Sequence, residues 1–122
     1  QRKSVEVLQD IFLTLCMTLE KRMVKNEVFA KEIFVNIKYE NGNHWGDKIN
    51  REHAIQDGTE ILELIKIRME KFKSRHHCES LINEEIMSIG VGVSNFISSE
   101  IVQYDMFENN VRENNLRQTV YD

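Results

Sequence analysis

Residues 32–45, EIFVNIKYENGNHW, decide the fold, because they join two strand patterns through a turn signal. Two sets of side chains alternate along the first pattern: Ile33, Val35, Ile37 and Tyr39 on one face, and Phe34, Asn36 and Lys38 on the other. A period of two residues predicts a β-strand, and Asn41-Gly42 supplies residues that accept the positive φ of a hairpin turn. The returning segment 44–55, HWGDKINREHAI, keeps few apolar residues among polar ones, so we expect an exposed or edge strand.

Helical periodicity flanks this hairpin on both sides. From Ile11 to about Glu27, apolar residues recur at three- and four-residue spacing: Phe12, Leu15, Cys16, Leu19 and Met23. Asp10 precedes this helix as its expected cap. After the hairpin, Asp57 and Glu60 have the spacing of a capping box and predict the start of a second helix. Its buried stripe is expected at Ile61, Leu64, Ile65, Arg68 or Met69, and Phe72.

Two further strand patterns lie at the ends of the domain. Residues 2–9, RKSVEVLQ, alternate weakly and predict a short first strand. Residues 86–96, IMSIGVGVSNF, predict the last strand, with one face nearly without side chains: Ser88, Gly90, Gly92 and Ser94. Glycine inside a strand often marks close approach of a backbone or a ligand. The order β-α-β-β-α-β predicts an α+β, ferredoxin-like fold with a four-stranded antiparallel sheet, two helices on one face and the other face open.

Composition and net charge limit the classes of protein to which this chain can belong. The 122 residues, 41% hydrophobic and 30% charged, fit one domain over residues 1–100 and a C-terminal tail over residues 101–122. No apolar run suits a membrane span or a signal peptide, and two cysteines make no disulfide framework, so an intracellular, cytoplasmic protein is expected. The chain begins at Gln1 and ends at Asp122 within a charged segment, which suggests a piece of a larger protein. The net charge of −4 argues against a generic nucleic-acid binder.

Catalytic and metal-binding patterns are absent from the sequence. The cluster His76-His77-Cys78 has no second pair of ligands to complete a zinc site. Cys16 lies in the apolar stripe of a helix, where burial rather than nucleophilic reactivity is expected. No glycine-rich loop joins a strand to a helix as a phosphate-binding loop does. The residues therefore predict no catalytic site, no metal and no cofactor in this chain.

Four segments occur in an order and spacing similar to a known family: RKS at 2–4, IFVNIKY at 33–39, INREHAI at 49–55 and IGVGVSNF at 89–96. Together they resemble the C-terminal little-finger domain of Y-family translesion DNA polymerases, the ImpB/MucB/SamB or DNA polymerase IV-like group. The resemblance extends from Arg2 to about Phe107. It implies a bacterial, noncatalytic domain that grips primer-template DNA during lesion bypass and DNA repair, while polymerisation and its Mg²⁺ ions belong to a separate palm.

The resemblance also implies which residues would contact DNA: Lys3, Ser4, Asn50, Arg51, Gly90, Gly92 and Ser94. Small residues on the last strand would let phosphates approach backbone N–H groups, a contact that does not read sequence. The sequence departs from the family where Met87 and Ser88 replace a frequent Arg, and where Glu52 replaces a frequent Ser. We therefore expect weak, salt-sensitive binding. Alternatively, the glycine face accommodates a helix or a neighbouring chain.

Residues 103–107, QYDMF, resemble the peptide with which bacterial replication proteins bind the sliding clamp. Gln103 would bond at the rim of a groove, and Met106 and Phe107 would fill it. Alternatively, Phe107 packs on its own domain. Two further interpretations of the whole chain stay open: a protein-interaction module recruited to the clamp with its DNA contacts weakened, and an RNA-binding sheet that stacks bases on Phe34 and Tyr39.

Overall fold

Three helices and a three-stranded antiparallel sheet make up the part of the chain that the computed structural model describes, the backbone of residues 4–121 and the side chains of residues 4–112. The elements follow in the order α1 (Val5–Lys25), β1 (Val28–Tyr39), β2 (His44–Ile55), α2 (Gly58–His76), β3 (Ile86–Ser98) and α3 (Ser99–Tyr121). The strand order is β2-β1-β3, so β1 is central and β2 is an edge strand, as predicted. The α+β class is confirmed, but the described sheet has three strands rather than four.

The predicted first strand is wrong for residues 5–9, which form the start of α1, while residues 2 and 3 of that strand lie outside the described residues. Ser4 is extended and caps the helix, and its Oγ accepts a hydrogen bond from the Val7 N–H at 3.3 Å. The expected cap at Asp10 is therefore also wrong, because the helix begins at Val5. The helical stripe already starts at Leu8, which is buried, and burying this side chain outweighs the weak strand preference of an exposed Val7.

The hairpin between β1 and β2 is confirmed, with one change in its turn. The Gly42 N–H donates a hydrogen bond to the Tyr39 carbonyl at 3.0 Å, and Gly42 has φ +89°. Asn41 does not share the positive φ that was predicted for it. Instead, its Oδ1 accepts a hydrogen bond from the Asn43 N–H at 2.9 Å, which fixes the turn through a side chain.

One face of the sheet packs under α1 and α2, as predicted. All these elements contribute buried residues to the core, among them Ile33, Val35 and Ile37 of β1, Trp45 and Ile49 of β2, Phe12 and Cys16 of α1, and Ile61, Ile65 and Met69 of α2. Burying one such isoleucine contributes about 1.5–3 kcal/mol. We call this side the covered face.

The second helix begins as predicted and buries Met69 rather than Arg68. Asp57 caps it, its Oδ1 accepting hydrogen bonds from the backbone N–H groups of Thr59 at 2.8 Å and Glu60 at 3.4 Å. Arg68 instead donates to Asp47 of β2 at 3.1 Å. Of the helices within residues 4–121, none has the length and apolarity needed to cross a membrane.

Candidate functional site

The second face of the sheet is lined by the alternate residues of all three strands. Cross-strand pairing arranges them in four rows: Asn50, Glu32 and Ser94; Lys48, Phe34 and Gly92; Gly46, Asn36 and Gly90; His44, Lys38 and Ser88. We call this surface the open face. All its residues on β2 are exposed, and so are its residues on β1 except Glu32, which is partly buried. The glycine-bearing side of β3 therefore lies on the open face, opposite the helices.

Side chains of the neighbouring strand lie across the two glycines of β3. A Cβ atom added to Gly92 would overlap the ring of Phe34, which pairs with it across the strands. A Cβ atom on Gly90 would lie 2.8 Å from Oδ1 of Asn36. The glycines thus leave room for an aromatic ring and an amide of the central strand. A ligand that reaches the β3 backbone here must first displace these two side chains.

The carboxylate of Glu32 lies within the open face and contacts two polar side chains of that face. The Ser94 hydroxyl donates a hydrogen bond to Glu32 Oε1 at 2.8 Å, and Lys48 Nζ lies 3.0 Å from the same oxygen. Hydrogen bonds from Lys48 and Ser94 hold the pKa of Glu32 below its usual value. Ser94, a predicted phosphate contact, is therefore bound to an anion of its own chain.

Two exposed lysines give the open face its positive charge. Lys38 pairs across the strands with His44 and Ser88, and Lys48 pairs with Phe34. In the four rows, these two positive charges outnumber the single negative charge, which belongs to Glu32. Neither lysine was among the predicted contact residues, although alternation with the buried isoleucines of β1 places Lys38 on this face.

The predicted contact residues divide into separate locations. Asn50 lies on the open face with Gly90, Gly92 and Ser94. Arg51 is partly buried, and its Nε atom is enclosed without a hydrogen-bond partner among the described residues. Ser4 caps α1 rather than joining the sheet, and Lys3 lies outside the described residues.

Only one of the two aromatic residues considered for base stacking is on the open face. Phe34 is 41% exposed there. Tyr39 is buried on the covered face, and its hydroxyl donates a hydrogen bond to the Leu81 carbonyl at 2.6 Å. Burial raises the pKa of Tyr39. A base-stacking platform made from both rings therefore does not form on one surface.

The segment QYDMF is helical, since residues 103–107 lie within α3. Gln103, Met106 and Phe107 follow at spacings of three and four residues, which places them on one side of the helix. Phe107 is 66% exposed and Met106 60%, so Phe107 does not pack onto its own domain. The Tyr104 hydroxyl donates to Glu108 Oε1 at 2.8 Å, and this bond raises the pKa of Tyr104.

Groups that could hold a metal or act as a nucleophile do not assemble in the described part of the chain. No three His, Cys, Asp or Glu side chains converge there as a candidate metal site. Cys16 is buried in α1, and burial raises its pKa to about 11. Its thiol therefore stays protonated near neutral pH, which is unsuited to nucleophilic chemistry.

A family model described as the impB/mucB/samB family C-terminal domain matches residues 2–106. The match includes α1, the three strands and α2, and reaches Met106 within α3. No curated protein matches the chain.

Proposed function

The chain belongs to the impB/mucB/samB C-terminal domain family, and from this premise we propose that its open face holds primer-template DNA for a Y-family translesion polymerase. The observation that carries the proposal is the difference between the two faces of the sheet. Helices cover one side, while the other presents exposed lysines, amides and a glycine-bearing strand. Such a surface suits a sugar-phosphate backbone, which is contacted by cationic, amide and backbone N–H groups.

The proposed contacts position DNA without reading its sequence. Lys38 and Lys48 would pair with phosphates, and Asn50 would donate its side-chain amide to a phosphate or sugar oxygen. Where a phosphate approaches β3, the Phe34 ring and the Asn36 amide would turn away from Gly92 and Gly90. Glu32 opposes this binding, because its charge repels phosphate and its oxygen holds Lys48. The domain thus grips DNA weakly, and the remainder of the polymerase supplies further affinity.

The chemistry of polymerisation is proposed to lie outside this chain. Nucleotidyl transfer uses carboxylates that hold two metal ions, and we assign these, with Mg²⁺, to the palm of the parent enzyme. The role of this domain is then to set how firmly the enzyme holds a distorted template.

Fluorescence anisotropy with labelled primer-template DNA tests the proposal. Two phosphate contacts give a slope of log affinity against log salt of about −1.8, so affinity should fall roughly tenfold between 50 and 200 mM salt. Duplexes of scrambled sequence should bind equally well. Affinity that is independent of salt, or that depends on sequence, would contradict a backbone grip. In the same titration, Arg51→Ala measures how much Arg51 contributes to the affinity for primer-template DNA.

We propose clamp binding as a second function, because several apolar side chains in the described part of α3 are exposed. Ile101, Tyr104, Met106 and Phe107 are all exposed. On binding, residues 103–107 would leave the helix and place Met106 and Phe107 in a groove of a bacterial sliding clamp.

Deleting residues 103–107 tests this second function by removing all proposed anchors at once. The deletion should abolish binding to a purified bacterial clamp but leave the affinity for DNA unchanged. Clamp binding by the intact chain should also persist at salt concentrations that abolish DNA binding, because apolar anchors dominate it. Val111→Ala, at another exposed apolar residue of α3, is the matched control and should bind the clamp normally.

A further inference from the structure

The C-terminal half of α2 is strongly basic, although the chain as a whole is acidic. Residues 66–76, KIRMEKFKSRH, contain five lysine and arginine residues and one acidic residue, whereas the net charge of the whole chain is −4. Cations in the last turn of a helix are favoured by its macrodipole, which accounts for Lys73 and Arg75. Lys66 and Lys71 lie before the last turn, so the macrodipole does not account for them.

Two cavities lie along this part of α2, and Lys71 and Arg75 line both of them. One cavity, of about 840 Å³, also contacts Ile67 on the outer side of the helix. The other, of about 460 Å³, lies between α2 and β2, where Trp45 and Phe72 contribute to its lining. We call the two cavities together the basic groove.

Apolar and aromatic side chains are part of the basic groove. The side chain of Ile67 is 49% exposed. The ring of Phe72 packs against Trp45 with ring centroids 5.9 Å apart, and against His76 with centroids 4.2 Å apart. Ile67 and Lys71 are four residues apart, which places an apolar side chain next to a cation on one side of the helix.

The two cations shared by both cavities have no anionic partner in their own chain as far as it is described. Arg68 donates to Asp47 at 3.1 Å, and Lys66 Nζ lies 3.7 Å from a carboxylate oxygen of Glu63. In contrast, the side chains of Lys71 and Arg75 form no hydrogen bond or ion pair with residues 4–112. Both are exposed, so an external anion can reach them.

We propose that the basic groove binds an acidic, amphipathic segment of another protein. Carboxylates of this segment pair with Lys71 and Arg75, and its apolar side chains pack on Ile67 and Phe72, as in helix-in-groove recognition. The apolar part of the groove favours a peptide over a nucleic acid, because a phosphate backbone offers Ile67 no apolar contact. Since α2 packs on the covered face, the proposal does not depend on DNA binding by the open face.

Tryptophan fluorescence tests the proposal at the groove itself, because Trp45 is the single tryptophan of the chain. The probe is a synthetic peptide of repeated EELL. Repeated EESS lacks the apolar side chains, and repeated KKLL reverses the charge. The EELL peptide should change the Trp45 emission saturably and bind at least about tenfold more tightly than either control, since burying one leucine contributes about 1.5–3 kcal/mol and like charges repel.

Charge and apolar substitutions separate the two parts of the groove. Lys71→Glu with Arg75→Glu should weaken EELL binding at least about tenfold. Lys21→Glu with Lys25→Glu makes the same charge change at exposed residues of α1 and should leave EELL binding unchanged. Ile67→Ser should weaken the binding of EELL but not of EESS. Circular dichroism verifies that each variant is folded.

A fluorescently labelled thymidine oligonucleotide tests nucleic acid as the ligand instead. Its binding should be the same in the wild-type chain and in the variant Lys71→Glu with Arg75→Glu. Loss of oligonucleotide binding in that variant, with EELL binding retained, would assign the groove to nucleic acid and overturn the proposal. No saturable change of Trp45 emission with EELL up to millimolar concentration would also overturn it, as would equal losses in the α1 and α2 charge variants.

Discussion

Neighbouring residues of β1 serve the two faces of the sheet in different ways. On the covered face, Ile33 and Ile37 are fully buried under the helices. On the open face, Phe34, Asn36 and Lys38 are exposed. Because alternate side chains of one strand point in opposite directions, packing and binding can be separated residue by residue. The covered face supplies stability, and the open face can change its chemistry at little cost in folding free energy.

The largest expected effect is a loss of stability caused by a substitution on the covered face. Ile37→Ala should lower the free energy of unfolding by about 2–5 kcal/mol, because it removes buried methyl and methylene groups and leaves a cavity. Lys38→Ala, one residue along the strand, should change it by no more than about 0.5 kcal/mol. Urea denaturation of both variants measures the contrast. Equal losses would mean that the open face is also part of the packed structure.

The next effect concerns DNA affinity. Combining Lys38→Ala with Lys48→Ala should weaken primer-template binding roughly tenfold at low salt and reduce the salt slope by about 1 for each lysine. Both side chains are exposed, so stability should hardly change. Anisotropy titrations at several salt concentrations give both quantities. An unchanged slope in a folded double variant would exclude these lysines as phosphate contacts.

A smaller effect on stability is expected from Gly92→Ala. The added Cβ overlaps the Phe34 ring, and adding a methyl group to a packed site costs about 1–3 kcal/mol. The exposed ring can turn away, so the loss should be near the lower limit. Adding Phe34→Ala to Gly92→Ala should remove most of the penalty in a double-mutant cycle. Additive losses would show that the glycine is needed for its own backbone conformation.

The smallest effect should come from Glu32→Gln, which removes a negative charge from the open face and releases Lys48 and Ser94. DNA affinity should rise a few-fold. The pKa of Glu32 is lowered in the folded chain, so its contribution to stability is present above its unfolded pKa and disappears as pH falls through the folded value. The variant should therefore lose less stability on acidification. Weaker DNA binding by Glu32→Gln would show that the carboxylate supports the site.

Features set by side-chain period or by local capping could be predicted from the sequence. Alternation over residues 33–39 identified both faces, and Asp57 marked the start of α2. The segment around Val5 and Val7 misled the prediction, because two β-branched residues favour a strand locally. The burial of Leu8 in α1 is a tertiary effect.

Features set by strand register could not be predicted. The contact of Glu32 with Ser94 joins residues 62 positions apart, and it depends on how β1 and β3 align. Likewise, the ring across Gly92 comes from a residue on another strand. A single strand pattern identifies its faces but not its neighbours.

Two charge-reversed double variants test the proposed DNA-binding face most directly. Lys38→Glu with Lys48→Glu changes the open face, while Lys66→Glu with Lys71→Glu makes the same charge change on α2, which packs on the covered face. Anisotropy titration with primer-template DNA should show binding abolished in the first variant and largely retained in the second. Equal loss in both, or greater loss in the α2 variant, would contradict DNA binding by the open face.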